Sequence, residues 1–174
     1  MHFSHSGRFL FPQNLLYPEL FRMAKTMKQL TVRSIAFENK QAIPKKYACD
    51  AEDVNPQLTI NGVPAETKSL VLIVEDPDAP SGLWIHWLVW NIPPTTTTIK
   101  ENSIPGTEGL NTNGNRSYGG PCPPSGTHRY FFKIYALDTK LELRENSTKK
   151  DVEKAMQGHV IAQGELMGVY SRSR

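Results

Sequence analysis

Three short stretches of the sequence hold the polar and titratable side chains that could do chemistry. In the first, Asp76 and Asp78 flank a proline directly after a run of apolar residues. A proline between two carboxylates at the end of a strand makes a rigid acidic corner. In an ordinary Asx turn of this kind, the carboxylates only accept backbone N–H groups. Taken alone, the corner therefore indicates a structural turn.

The second stretch places one histidine, His86, inside the apolar segment of residues 84–92. Because side chains alternate between the faces of a strand, His86 is predicted to share a face with Trp84, Leu88, Trp90 and Ile92. A histidine in such surroundings is usually a hydrogen-bonded core residue, and burial disfavours its charged form. A role in binding requires a specific partner for the imidazole.

The third stretch is a glycine- and proline-rich loop, GGPCPP at residues 119–124, which leads into a strong strand. His128 and Tyr130 near the start of that strand are two residues apart, so they point to the same face. An imidazole, a phenol and exposed N–H groups of the glycine turn can all donate to phosphate oxygens. The grouping indicates an anion cradle, with sheet packing of the aromatic residues as the structural alternative.

The rest of the chain predicts a sheet that could bring these stretches together. Strands are expected near residues 30–37 and over residues 57–61, 69–75, 84–92 and 127–137. Segment 84–92 is apolar on both faces and is therefore expected to be central in its sheet.

Helix signals are sparse. Thr148 and Asp151 resemble a capping box, and Gly158 supplies a stop. Repeated glycines favour a last strand over residues 160–170. We therefore predict a mainly β, antiparallel domain with one or two short helices.

Length and charge limit the class of protein. The chain has 174 residues, enough for one domain, and its 20 basic and 17 acidic residues give a net charge of only +3. No basic run interleaves with aromatics, which argues against a nucleic-acid partner. No apolar run approaches the roughly 18 residues of a membrane span.

The two cysteines and the first residues carry separate expectations. Cys49 and Cys122 have no CxxC spacing, so we expect reduced thiols in a cytoplasmic protein. A disulfide between them is the alternative if the fold brings the two cysteines together. Residues 1–26 do not form a secretory signal, since Pro12 and Pro18 interrupt their apolar pieces. They are expected to be a flexible leader or to precede a start at Met23 or Met27, with the domain over residues 27–174.

Taken in order, these motifs resemble the phosphatidylethanolamine-binding, or Raf-kinase-inhibitor-like, protein family. The similarity is greatest to its bacterial and archaeal YbhB/YbcL-like branch. The matching pieces are residues 50–56, 74–80, 86–93, 119–124, 128–130, 135–137 and 164–171. The resemblance implies an antiparallel β-sandwich with a small surface cleft.

The resemblance also implies which residues form the cleft and what it binds. Carried over by motif, the ligand-binding residues are Asp76, Asp78, His86, Gly120, Pro121, His128 and Tyr130. The implied ligands are phosphate, phosphorylated head groups and acetate-like anions. We therefore expect non-enzymatic anion binding, with neither a cofactor nor a metal.

Two carboxylates beside an anion need an explanation, because like charges 4 Å apart repel by about 4 kcal/mol at a dielectric near 20. An aspartate could be protonated, could orient a histidine through one ring nitrogen, or could pair with the cationic end of a zwitterion such as phosphoethanolamine. We favour the orienting role for one of Asp76 and Asp78, and pairing with the cationic end of a zwitterion for the other. Anion affinity should then weaken as pH rises through the histidine pKa.

Three other functions remain open. Catalysis by acid and base groups is possible in principle, but the sequence has no G-x-S-x-G elbow, and the prolines around Cys122 favour a role in shape. A metal site of His86, His128 and Asp76 gains no support from spacing, since its ligands come from three separate segments. Inhibition of a kinase or protease through the same cleft is the leading alternative, and a homodimer is also open.

Overall fold

Strands form where the sequence alternates or runs apolar, and they build two sheets. The computed structural model describes residues 27–172, and within that range the strands are β1 (Lys28–Gln29), β2 (Thr31–Arg33), β3 (Leu58–Asn61), β4 (Ser69–Asp76), β5 (Trp84–Ile92), β6 (Thr98–Ile99), β7 (Thr107–Glu108), β8 (Thr127–Leu137) and β9 (Val160–Ser171). The helical elements are a 3₁₀ turn, Lys45–Tyr47, and one α-helix, α1 (Lys149–Met156).

The larger sheet has the strand order β1-β9-β8-β4-β5-β7, and the smaller has the order β2-β3-β6. All neighbouring strands are antiparallel except β1 and β9. The predicted mainly β, antiparallel fold is confirmed.

The larger sheet is covered on both faces, as its central strand β4 shows. All eight residues of Ser69–Asp76 are buried. One face contributes to the inter-sheet core, which lies between the two sheets and takes Leu70, Leu72 and Val74. The other contributes to the helix-side core, which lies under α1 and takes Val71 and Ile73. This two-sided burial is why the sequence of β4 is continuously apolar rather than alternating.

Strand β5 departs from regular alternation at His86. Val74 lies opposite Trp87 and Glu75 lies opposite Ile85, so His86 has no partner across the strand pair. A β-bulge of this kind turns side chains away from the simple two-residue period. Leu88 and Trp90 lie in the helix-side core. The His86 ring instead contacts Tyr130, which belongs to the inter-sheet core. The prediction that His86 shares a face with Leu88 and Trp90 is therefore wrong.

A second irregularity lies at Asn91, whose φ is 54°. The pairing of β4 with β5 shifts between Leu70 and Leu72, and Ile92 consequently joins the inter-sheet core. Its predicted place beside Leu88 is wrong for the same reason. Strand β5 is also one place from the edge of the sheet rather than at its centre, because only the two-residue β7 lies beyond it.

The predicted helix and last strand are both confirmed. At the start of α1, the backbone N–H of Thr148 donates to Asp151 Oδ2 at 2.9 Å, and the capping box is complete. Val152 and Met156 anchor the helix in the helix-side core. After the helix, Gly158 adopts a φ of +80°, which L-residues rarely tolerate, and the chain turns into β9.

Near the beginning of the described chain, the strand predicted over residues 30–37 is shorter than expected. It ends at Arg33 because the Ser34 hydroxyl donates to the Gln57 carbonyl at 2.6 Å and accepts the Ala36 N–H at 3.1 Å, which makes a turn. The predicted leader, residues 1–26, lies outside the described residues. Within residues 27–172, no helix has the length and apolar character needed to span a membrane.

The two cysteines form a disulfide, with 5.5 Å between the Cα atoms of Cys49 and Cys122. The expectation of two reduced thiols is therefore wrong. The fold brings the two segments together, since the Cys49 N–H donates to the Pro121 carbonyl at 3.1 Å. A sequence separation of 73 residues gave no sign of this contact.

Candidate functional site

The three chemically interesting stretches of the sequence converge on one pocket of about 460 Å³. Strand β4 is antiparallel to both β5 and β8, so its C-terminal end lies beside the beginnings of both neighbours. This arrangement brings Asp76 from β4, His86 from β5 and His128 from β8 to the same cavity. The loop between β7 and β8 closes one side with Gly119 and Gly120.

Asp76 orients His128. Both side chains are buried, with 3% and 6% exposure respectively, and His128 Nδ1 lies 2.7 Å from Asp76 Oδ2. The other carboxylate oxygen, Oδ1, accepts the backbone N–H of Asp78 at 2.7 Å. An ionised carboxylate can only accept, so Nδ1 carries the proton and Nε2 is the ring nitrogen left for a ligand. This is the orienting role that the sequence predicted for one of the two aspartates.

Asp78 has a different role, because it points to Arg129 and does not line the pocket. Arg129 Nε and Nη2 donate to the two carboxylate oxygens at 2.9 and 2.7 Å, and the Arg129 backbone N–H adds a third bond at 2.9 Å. These bonds from Arg129 lower the pKa of Asp78 to about 2. The pair fastens the acidic corner to the start of β8, so Asp78 supports the pocket from outside.

His86 is also held through Nδ1, but its partner is a neutral backbone carbonyl rather than a carboxylate. Its Nδ1 lies 2.7 Å from the Gly119 carbonyl oxygen, which can only accept, so Nδ1 carries the proton. Burial lowers the pKa of His86 below its usual 6.5, against the opposing effects of the Gly119 carbonyl and the charge of Asp76. The neutral ring therefore presents a lone pair at Nε2. That atom is buried and has no hydrogen-bond partner among the described residues.

Tyr130 lies behind His86 rather than at the pocket surface. The two rings meet edge to face, with 5.2 Å between centroids and 72° between planes. Burial raises the pKa of Tyr130, and the nearby charge of Asp76 raises it further, so the phenol stays protonated. Its hydroxyl is buried and, within residues 27–172, lacks a hydrogen-bond partner. Tyr130 thus packs against His86 behind the pocket wall.

The glycine turn does not offer the bare amides that the sequence suggested. The Gly119 N–H donates to the His86 carbonyl at 3.0 Å, and the Gly120 N–H donates to Asp53 Oδ1 at 2.5 Å. Both donors are therefore used inside the protein, and this part of the anion-cradle prediction is wrong. Pro121 is buried behind the turn and does not line the cavity. A side chain at Gly120 would collide with the Tyr47 carbonyl, so glycine is needed there.

Asp53 is a charged pocket residue that the sequence did not single out. It adopts a φ of 55°, which aspartate tolerates better than most residues, and its carboxylate lines the pocket. The remaining walls are partly polar, with Ser81, Asn111 and Asn113, and partly apolar, with Ala79, Pro80, Trp84, Ile85, Pro123 and Pro124. Two carboxyl groups, those of Asp53 and Asp76, and two imidazoles, those of His86 and His128, therefore belong to one cavity.

Comparisons with known proteins cover the part of the chain that forms the pocket. The family model described as phosphatidylethanolamine-binding protein matches residues 33–171, which include every pocket residue. A UPF0098 protein of Methanothermobacter thermautotrophicus is 47% identical over 150 residues, covering 82% of this chain and 99% of the relative.

Two solved structures are also similar. CT736 of Chlamydia trachomatis, a homologue of phosphatidylethanolamine-binding protein, has a TM-score of 0.81 and 46% identity, covering 84% of this chain and 99% of its own. Escherichia coli YbcL, described as a member of the mammalian family, has a TM-score of 0.77 and 33% identity, and the match covers 83% of this chain and 99% of YbcL.

Proposed function

Because the chain belongs to the phosphatidylethanolamine-binding protein family, we propose that its pocket binds a phosphate-like anion or phosphorylated head group without chemical turnover. The observation that carries the proposal is the pair of buried imidazoles, His86 and His128, at one cavity. Each has its Nδ1 held by the protein, by Gly119 and Asp76 respectively, so each keeps Nε2 for a ligand. Two fixed imidazoles can grip two oxygens of one tetrahedral anion.

Binding is coupled to protons in this proposal. Neutral His86 accepts a hydrogen bond from a protonated phosphate oxygen, or it takes up a proton and donates to an ionised one. For a phosphomonoester dianion, which has no hydroxyl of its own, the complex in either case holds a proton that the separate dianion and neutral ring lack. Asp53 and Asp76 make that proton more necessary, since their charges repel a bare anion. Affinity therefore weakens by up to about tenfold per pH unit as pH rises through neutrality.

Binding rather than catalysis is supported by the absence of an activated nucleophile among the described pocket residues. The sulfur of Cys122 is bonded to Cys49. Ser81 lines the cavity, but neither histidine is its hydrogen-bond partner. Inhibition of a kinase or protease through the same pocket stays the alternative prediction. Competition between phosphate and a bound partner protein would reveal it.

Calorimetric titration tests the proposal with three probes, which are inorganic phosphate, sulfate and phosphoethanolamine, between pH 6 and 8. Sulfate has the same shape but does not titrate in this range, so its pH dependence reports the protein alone. We expect all three to bind, with sulfate weakening as pH rises. Failure of every probe to bind at millimolar concentration would refute the proposal, and a flat sulfate profile would refute its proton coupling.

Turnover is tested separately with a chromogenic phosphomonoester. Product release by the wild-type chain should equal that of His86→Ala and of buffer alone. Release that depends on His86 would contradict a purely binding role.

A further inference from the structure

The disulfide lies in the wall of the pocket rather than in either core. Both Cys49 and Cys122 line the cavity. Cys122 is exposed to solvent and Cys49 is half-buried, so a small reductant can reach the bond. The bond joins the segment after the 3₁₀ turn to the loop between β7 and β8, and neither cysteine belongs to a strand. Its position therefore bears on ligand binding more directly than on sheet packing.

The two segments that the bond joins carry opposite parts of the binding machinery. The Cys49 segment supplies Asp53, and the Cys122 loop supplies Gly119 and Gly120. The Gly119 carbonyl fixes the ring of His86 at 2.7 Å. The spacing of the two segments thus sets the width of the pocket and the orientation of His86.

Weaker contacts connect the same segments beside the bond. The Cys49 N–H donates to Pro121 at 3.1 Å, the Gly120 N–H donates to Asp53 at 2.5 Å, and the Tyr118 hydroxyl donates to the Tyr47 carbonyl at 3.1 Å. Neither cysteine belongs to either core, although Tyr47 and Tyr118 pack in or against the inter-sheet core. Reduction should therefore loosen the pocket wall while the sheets persist.

We propose that the Cys49–Cys122 bond is a redox control of ligand binding, in which the oxidised chain binds its anion tightly and reduction weakens that binding. The inference rests on the proposed anion binding. A loosened wall must be reordered each time a ligand binds, and the imidazole of His86 loses its fixed direction. Both effects lower affinity without removing any ligand-contacting side chain.

The reduction itself needs only a thiol reductant. A thiolate attacks the exposed Sγ of Cys122, the S–S bond breaks, and Cys49 leaves as a thiolate. A second thiolate then displaces Cys122 from the mixed disulfide. Two electrons pass to the protein, the two thiols of the reductant supply the protons of the two cysteine thiols, and the reductant leaves as its own disulfide.

The test compares phosphate affinity in three samples, which are the oxidised chain, the chain reduced with dithiothreitol, and the variant C49S/C122S. The chain has no other cysteine, so reductant acts on this bond alone and should not change the variant. Circular dichroism checks that each sample is folded. We expect the folded, reduced chain and the variant to bind phosphate at least about fivefold more weakly than the oxidised chain.

A second measurement does not depend on any variant. In glutathione buffers of set ratio, saturating phosphate should shift the disulfide-to-dithiol equilibrium toward the disulfide by the same factor as the affinity ratio, because linkage is reciprocal. Equal affinities within about twofold would overturn the redox control alone. Loss of the fold on reduction would also overturn it, since the bond would then be a structural staple. Failure of the oxidised chain to bind phosphate would overturn the proposed function as well.

Discussion

Removing the disulfide should cost the domain a calculable part of its stability. The bond closes a loop whose ends are 73 residues apart. In the chain-entropy description, such a cross-link removes about 15 cal/mol/K from the unfolded state, which corresponds to about 4.4 kcal/mol at 25 °C. A domain of this size has a total stability of about 5–15 kcal/mol, so C49S/C122S should remain folded at 25 °C with a smaller margin.

Thermal unfolding measures this loss directly. For a domain of about 150 residues, Tm moves by about 2–4 °C per kcal/mol, so the expected decrease is roughly 9–18 °C. Reductant should lower the Tm of the wild-type chain by a similar amount and leave that of the variant unchanged. Because the uncrosslinked unfolded chain is more expanded, the denaturant m-value should also rise on reduction.

One result would refute the reasoning. If oxidised and reduced chains unfold within about 3 °C of each other, with equal m-values, then the bond does not constrain the unfolded chain as its loop length implies. Mass spectrometry of the oxidised sample, before and after thiol alkylation, confirms that the bond is present in the protein that is heated.

Three further predictions concern the pocket. Asp76→Asn should weaken phosphate binding at least about tenfold by calorimetry, because it removes the charge that orients the buried imidazole, whereas Asp138→Asn at the exposed His159 pair should change nothing. Gly120→Ala should destabilise the domain by about 1–3 kcal/mol in chemical denaturation, because the added Cβ collides with backbone atoms. Gly119→Ala is the control and should be tolerated, since its Cβ would have no neighbour closer than 3.7 Å. Equal losses of stability in the two variants would contradict this. Because the pKa of His86 is lowered in the folded state, the unfolded chain binds more protons than the folded chain near this pKa. The free energy of unfolding should therefore fall as pH drops below 6.5, and it should fall less in His86→Gln. Parallel pH profiles of unfolding for the two chains would refute this.

The sequence was sufficient for the longer strands because their signals are local, but it did not predict the two-residue strands β6 and β7. The apolar run of β4 and the Gly158 stop each depend on neighbours a few residues away. The bulge at His86 could not be predicted this way. It depends on how β5 pairs with Glu75 and Val74, which are distant in the chain. A shift of one residue reversed the face that His86 was expected to occupy.

The sequence predicted which segments form the pocket, but not which of their polar groups face the cavity. The sequence alone does not distinguish the roles of Asp76 and Asp78. In the fold, Arg129 binds the carboxylate of Asp78 and holds it outside the cavity. The glycine amides looked free because their partners, Asp53 for Gly120 and the His86 carbonyl for Gly119, lie in other segments. The disulfide was missed for the same reason. Contacts between segments that are distant in the sequence determined each of these features.

The order of the strands has a consequence for biosynthesis. Strand β4 pairs with β8, which the ribosome makes more than fifty residues later, and β1 pairs with the last strand. At 5–20 residues per second, β4 waits about 3–10 s for its partner. During that interval, residues that are buried on both faces of the finished sheet are exposed at an unpaired edge. Residues 69–76 are therefore the segment of the nascent polypeptide at which a chaperone is expected to engage.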